Sequence, residues 1–158
     1  REVYELIYRD KHRHKIKFYA KKTVGSFVFG YIWNAFGEPL FCFYRPHEIE
    51  PAEPDVFAID FDGTLCKNKY PDIGLPNYNL ITNLKKLQSF GNKLILWTCR
   101  EGDLLQQAVD WCAQHGLHFD AINDNLPERI NQYNCNCRKV SADYYIDDRA
   151  VNIKASDY

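Results

Sequence analysis

The chain has 158 residues, 46% of them apolar and 26% charged, enough apolar bulk for a packed core and too much for a disordered tail. No apolar run approaches the roughly 20 residues of a bilayer span, and the opening REVYELIYRD lacks the apolar stretch of a secretory signal, so no membrane segment is expected. The net charge of −1 excludes a uniformly basic nucleic-acid binder, yet it is unevenly spread. Residues 1–50 carry nine Lys or Arg against six Asp or Glu, and residues 51–158 carry eleven against fifteen.

Residues 1–50 form a small β-rich module by pattern. Val3, Leu6 and Tyr8, then Ile16, Phe18 and Ala20, alternate apolar with polar positions, and SFVFGYIW and PLFCFY follow, with Gly25, Gly30, Gly37 and Pro39 as punctuation. Three or four antiparallel strands are predicted. The polar, twice-proline stretch HEIEPAEPD is expected to be a linker.

From residue 51 to 158 a second domain is expected. VFAID is a short apolar run suited to a strand buried on both faces, ending at DGT, where Gly63 permits a tight turn. Leu80, Ile81, Leu84 and Leu87 recur at helical spacing and Gly91 closes that helix. The strand KLILW leads to Thr98. Leu104, Leu105, Ala108, Val109, Trp111 and Cys112 mark a second helix, stopped by Gly116. HFDAIN and ADYYI are predicted as the third and fourth strands, separated by a polar loop. Alternating strands and helices imply a parallel sheet flanked by helices, whose ligands sit at the carboxyl ends of the strands.

Those strand ends carry matched chemistry. The first delivers Asp60 and Asp62, the second Thr98, and the fourth Asp147 and Asp148. Four carboxylates meeting in one volume repel, and a divalent cation relieves the repulsion. Mg²⁺ suits hard oxygen ligands and leaves coordination positions for water and phosphate, whereas zinc would favour the His and Cys that are absent from this set. In Asp60-Phe61-Asp62 one carboxylate can attack phosphorus while its neighbour handles protons. Thr98 would donate a hydroxyl to a phosphate oxygen, and Lys139 would offset the charge on the transferred group.

Asp60-Phe61-Asp62-Gly63-Thr64 after an apolar strand, Thr98 after a second, then Lys139 and Asp147-Asp148, resembles the four motifs of the haloacid dehalogenase-like (HAD) superfamily over about residues 55–152. YPDIG, LWTCREG and ADYYIDDR are most similar to its small, hydrolase-like members. The resemblance implies a Rossmann-like fold and a phosphatase. It makes Asp60 the nucleophile and a metal ligand, and Asp62 the acid/base whose backbone carbonyl also binds the metal. Thr98 and Lys139 would hold the phosphoryl group, and Asp147 with Asp148 would complete the metal site. Either member of the aspartate pair could touch the metal directly, and Arg138 could serve in place of Lys139. Only 35 residues separate Asp62 from Thr98 and 40 separate Thr98 from Lys139, too few for a cap domain. Capless members resemble one another in having open sites, which suit phosphate on a macromolecule.

Arg100, two residues after Thr98, is expected at the substrate, while Glu101 suits either substrate or the following helix N-terminus. Cys66 and Cys99 read as ordinary thiols, and His12-Arg13-His14, His115 with His118, and Cys135-Asn136-Cys137 as surface residues. The six cysteines fall in predicted elements and nothing marks secretion, so they are read as reduced, in a cytoplasmic protein. Arg9 to Lys22 holds seven basic residues and one acidic, a pattern shared by a phosphate-tracking strand for nucleic acid and a solvated edge strand. VGSFVFGYIWNAFGEPLFCFYRPHEIEP is similar to a small SH3-like barrel. With no Met and Arg1 at its start, the chain reads as a fragment. The rival to an enzyme is a non-catalytic protein that holds a phosphorylated ligand or nucleotide in the same acidic cleft. A third reading puts the function in the N-terminal module.

Overall fold

A computed structural model describes residues 6–10, 17–33 and 39–151; the predicted positions Val3, Ile16 and Gly37, and residues 11–16 of the basic stretch with His12-Arg13-His14, lie outside them. The chain divides into two compact units, residues 1–54 with 83–92, and residues 55–82 with 93–158. One is built on an antiparallel sheet and the other on a parallel one.

The antiparallel sheet has five strands, β1 (Leu6–Asp10), β2 (Lys17–Val24), β3 (Phe27–Trp33), β4 (Pro39–Tyr44) and β5 (Ile49–Pro51), in the order β4-β3-β2-β1-β5. Its core collects one face of the alternating pattern: Phe18, Val28 and Ile49 are buried, with Ala20, Ile32, Cys42 and Tyr44 against them. Gly30 sits opposite Ala20 where β2 and β3 run so close that a side chain there would strike the Tyr19 carbonyl. The supposed linker HEIEPAEPD is partly ordered structure. Pro46–Glu48 make a 3-10 turn, where the Glu48 carboxylate accepts from the Arg45 amide at 2.8 Å, and β5 then pairs with β1. Among its described side chains, Ile49 supplies the burial that secures this strand. Phe90, from residues 83–92, stacks on Tyr19 with ring centroids 4.7 Å apart.

The parallel sheet contains β6 (Val56–Ile59), β7 (Lys93–Leu96), β8 (Ala121–Ile122) and β9 (Tyr144–Ile146), in the order β8-β7-β6-β9. It is flanked by helices α1 (Tyr78–Ser89), α2 (Gly102–Gln114) and α3 (Pro127–Tyr133). All four residues of β6 are buried, as its continuous apolar run predicts, and Leu94, Ile95 and Leu96 of β7 are fully enclosed. Each such side chain contributes about 2 kcal/mol of transfer free energy. Val56, Ala58, Ile95, Leu126 and Val140 form one buried cluster; Phe61 meets Trp111 of α2 edge-on at 5.4 Å.

Two expectations need correction. The third strand is only two residues long: the Asp120 amide still donates to the Leu94 carbonyl at 2.8 Å, but the return bond goes to its side chain, which accepts from the Leu94 amide at 2.9 Å and from Lys93 Nζ at 3.0 Å. The expected polar loop before Lys139 contains α3, started by Pro127 in the first turn, where a missing amide costs nothing, and ended by Asn134 at φ +48°. Among the described residues no helix is long and apolar enough to cross a membrane.

Candidate active site

The order of the parallel sheet puts β6 beside β9, and the register pairs Ile59 with Ile146. The next residues, Asp60 and Asp147, therefore emerge at the same level, and the Asp60 amide donates to the Ile146 carbonyl at 2.9 Å. Such a point, where successive crossovers leave in opposite directions, is where an open α/β sheet has a crevice. A cleft of about 400 Å³ lies there, lined by Asp60, Asp62, Asn68, Tyr70, Thr98, Cys99, Asp147, Asp148 and Arg149.

Carboxylate oxygens of Asp60, Asp147 and Asp148 all lie within 4.8 Å of one another. Burial pushes the Asp60 carboxyl above the ordinary range; hydrogen bonds from Thr64 and the Phe61 amide oppose that, and the charges of Asp147 and Asp148 add to it. The buried Thr64 organises the group. Its hydroxyl donates to Asp60 Oδ2 at 3.0 Å and accepts from the Asp148 amide at 3.0 Å. Gly63, at φ +94°, abuts the Asp148 carboxylate, so a methyl group there would run into it. Gly63→Ala is expected to destabilise the fold by about 1–3 kcal/mol through the left-handed backbone alone, measured by urea denaturation. A trio of converging carboxylates with no imidazole or thiolate fits a hard divalent cation.

Asp62 stands apart from this trio. Its carboxylate takes a bidentate pair from Arg100, Nε to Oδ2 at 2.7 Å and Nη2 to Oδ1 at 2.8 Å. Arg100 is 1% exposed and also donates to the carbonyls of Pro71 at 3.0 Å and Asp72 at 2.8 Å, with Phe61 and Tyr70 rings 5.1 and 5.3 Å from its guanidinium carbon. The substrate contact expected of Arg100 is thus replaced by a buried one. The residue joins Asp62 to the loop at 70–72, because both its charge and its hydrogen bonds are spent on those partners. Thr98 lines the cleft, held by its amide donating to Asn123 Oδ1 at 2.8 Å. Asn123 takes φ +49° at the tip of β8, a supporting role that its place in HFDAIN did not signal.

Lys139 does not line the cleft; it is exposed, with Nζ 5.1 Å from the Tyr145 ring centroid. Its loop is pinned by the buried Asn125, which donates to Asn136 Oδ1 and the Cys137 carbonyl, both at 2.8 Å, and accepts from the Ser141 amide at 2.6 Å. Arg138 is also exposed and outside the lining. Arg149 is the cation among the described lining residues, its amide donating to Asp147 Oδ1 at 2.8 Å. Standing directly after the aspartate pair was the one signal that could have found it. Glu101 is exposed at the start of α2 and makes no side-chain cap. Cys66 is buried, which raises its thiol pKa, while Cys99 is exposed in the cleft wall. His115 Nδ1 lies 2.8 Å from the Trp111 carbonyl, and the exposed Cys135 and Cys137 sulfurs are 2.9 Å apart. Among the described residues neither set joins a further His, Cys, Asp or Glu in a metal-binding group.

No protein-family model matches this sequence, and no curated protein matches it. A solved structure described as a conserved protein from Bacteroides thetaiotaomicron is similar at 42% identity and a TM-score of 0.56, covering 63% of this chain and 79% of that one.

Proposed function

We propose that this chain, which belongs to the same family as that conserved Bacteroides thetaiotaomicron protein, is a magnesium-dependent phosphohydrolase that cleaves phosphomonoesters through an aspartyl-phosphate. The observation that carries this reading is the trio Asp60, Asp147 and Asp148 gathered at the mouth of the strand-end cleft. The reading treats the parallel sheet and its helices as a capless, Rossmann-like HAD domain over residues 51–158, preceded by a small module over 1–50 of SH3-like character. All six cysteines are free, which suits the reducing cytoplasm.

Asp60, Asp147 and Asp148 would hold the cation. Bound there, Mg²⁺ would screen the carboxylates and polarise a phosphate oxygen. Asp60 attacks phosphorus, the bond to the leaving oxygen breaks, and Asp62 gives that oxygen a proton. Asp62 then takes a proton from the water that hydrolyses the acyl phosphate, which frees the Asp60 carboxylate and returns Asp62 to the protonated form in which it began. To carry a proton Asp62 must release one oxygen from Arg100, so each turnover includes a partial opening of that ion pair. Thr98 and Arg149 line the cleft where they would steady the phosphoryl oxygens. Arg149→Ala is accordingly expected to raise KM for an aryl phosphate about ten-fold, with Lys139→Ala changing it less than two-fold, as steady-state kinetics would measure.

The cation test is a melting curve with and without MgCl₂ across pH. Asp60's raised carboxyl favours the protonated folded state, so in metal-free protein its contribution to stability is fullest below the ordinary carboxylate range. That contribution is lost as pH rises through Asp60's own raised value. Mg²⁺ needs the ionised form, so its stabilisation should grow over the same interval. A Mg²⁺-induced shift that stays flat or shrinks with rising pH would remove Asp60 from the ligand set.

One observation favours the non-catalytic rival, a protein that holds a phosphorylated ligand or nucleotide: the acid/base carboxylate is committed to Arg100 at both oxygens. A screen of aryl phosphates, nucleotides and phosphorylated oligonucleotides separates the two. Turnover of any member supports the enzyme, and tight nucleotide binding without product supports the rival.

A further inference from the structure

The antiparallel sheet has a second face that its core does not use. With Phe18, Val28 and Ile49 buried on the inner face, the alternate positions Phe27, Phe29 and Tyr31 of β3 and Phe41 and Phe43 of β4 project from the outer one. The register sets Phe29 opposite Phe43 and Tyr31 opposite Phe41, and the rings touch in a row. Centroids are 5.4 Å apart for Phe27 and Phe43, 5.8 Å for Phe29 and Phe43, 6.1 Å for Phe29 and Phe41, and 5.3 Å for Tyr31 and Phe41. Phe90 covers the Tyr19 and Tyr31 end of this row, while Phe41 and Phe43 are left 57% and 59% exposed. Aromatic rings left exposed side by side on one sheet face make the kind of apolar patch that marks an interaction surface.

Its charge says what kind. Lys22 is exposed and lies directly across from Phe29. The exposed Arg45 places its guanidinium carbon 5.9 Å from the Phe27 centroid. Residues 1–54 with 83–92 hold eleven Lys or Arg against seven Asp or Glu, a net +4, whereas the rest of the chain carries −5. We infer that this face is a stacking platform for single-stranded nucleic acid, the bases lying on Phe29, Phe41 and Phe43 and the phosphates running past Lys22 and Arg45. Rings in a row accept any base, since every base has a π-face. The cations at the margin would oppose a second copy of the same +4 unit. The inference stands on this sheet alone and is independent of the chemistry at the strand-end cleft.

Fluorescence anisotropy of a labelled oligothymidylate and oligouridylate of about 12 nucleotides, titrated with the full chain, tests it. Binding is expected to weaken steeply between about 50 and 200 mM salt. Phe41→Ala and Phe43→Ala, exposed positions whose loss should leave the circular dichroism spectrum unchanged, are each expected to weaken binding roughly ten-fold. Lys22→Ala and Arg45→Ala should each flatten the salt slope by about one. The tighter of the two oligonucleotides names the polymer. No binding at low salt, binding indifferent to both ring substitutions, or self-association in sedimentation that those substitutions abolish would each overturn the inference.

Discussion

Asp60→Asn is expected to lower phosphatase turnover by at least ~10³-fold while the chain stays folded, because the amide keeps the shape of the side chain but cannot attack phosphorus. The same substitution removes one charge from a trio whose oxygens lie within 4.8 Å of one another. In metal-free protein it should therefore raise the melting temperature, and it should abolish the further rise on adding MgCl₂. The two readouts pull in opposite directions, which separates a lost nucleophile from a damaged fold. A variant that turned over at the parental rate would remove Asp60 from the chemistry, and one that melted lower would contradict the crowding of charge.

Arg100→Ala is expected to have the largest effect on stability, about 3–5 kcal/mol, read from urea denaturation. The cost arises because Asp62 would keep its charge with no partner, and the carbonyls of Pro71 and Asp72 would lose the donor that holds them. Arg100→Lys keeps the charge but has no fork to span both oxygens of Asp62, so it should recover only part of the loss. If Arg100→Ala melted like the parent, the pair would be a surface interaction and the 70–72 loop would be held by something else.

The parallel sheet was readable because burial on both faces leaves a plain mark, a short unbroken apolar run such as VFAI or LIL. The strand-tip rule then brought Asp60 and Asp147 to one place without knowledge of any contact. Elements secured by a single residue were not readable. β5 depends on Ile49, and nothing in a run of nine mostly polar residues distinguishes that isoleucine from one in a loop. The site was legible in its charges and not in its ties. The sequence shows that Arg100 is near Thr98 but not that two carbonyls of the 70–72 loop would turn toward it. Likewise Lys139 is eight residues before Asp147, a spacing that fits a phosphate contact, but the bonds made by Asn125 hold its loop so that the amine lies over Tyr145. Side-chain tethers across long stretches of chain have no periodicity and leave no pattern to read.

The Thr64 hydroxyl has a single hydrogen, given to Asp60, and a lone pair, given to the Asp148 amide. An acyl phosphate formed at the oxygen it serves would weaken that acceptor, and the hydroxyl would swing, loosening the grip on the neighbouring main chain. The nitrogen-15 resonance of Asp148 is thus a natural gauge of what has happened to Asp60, readable without following any product.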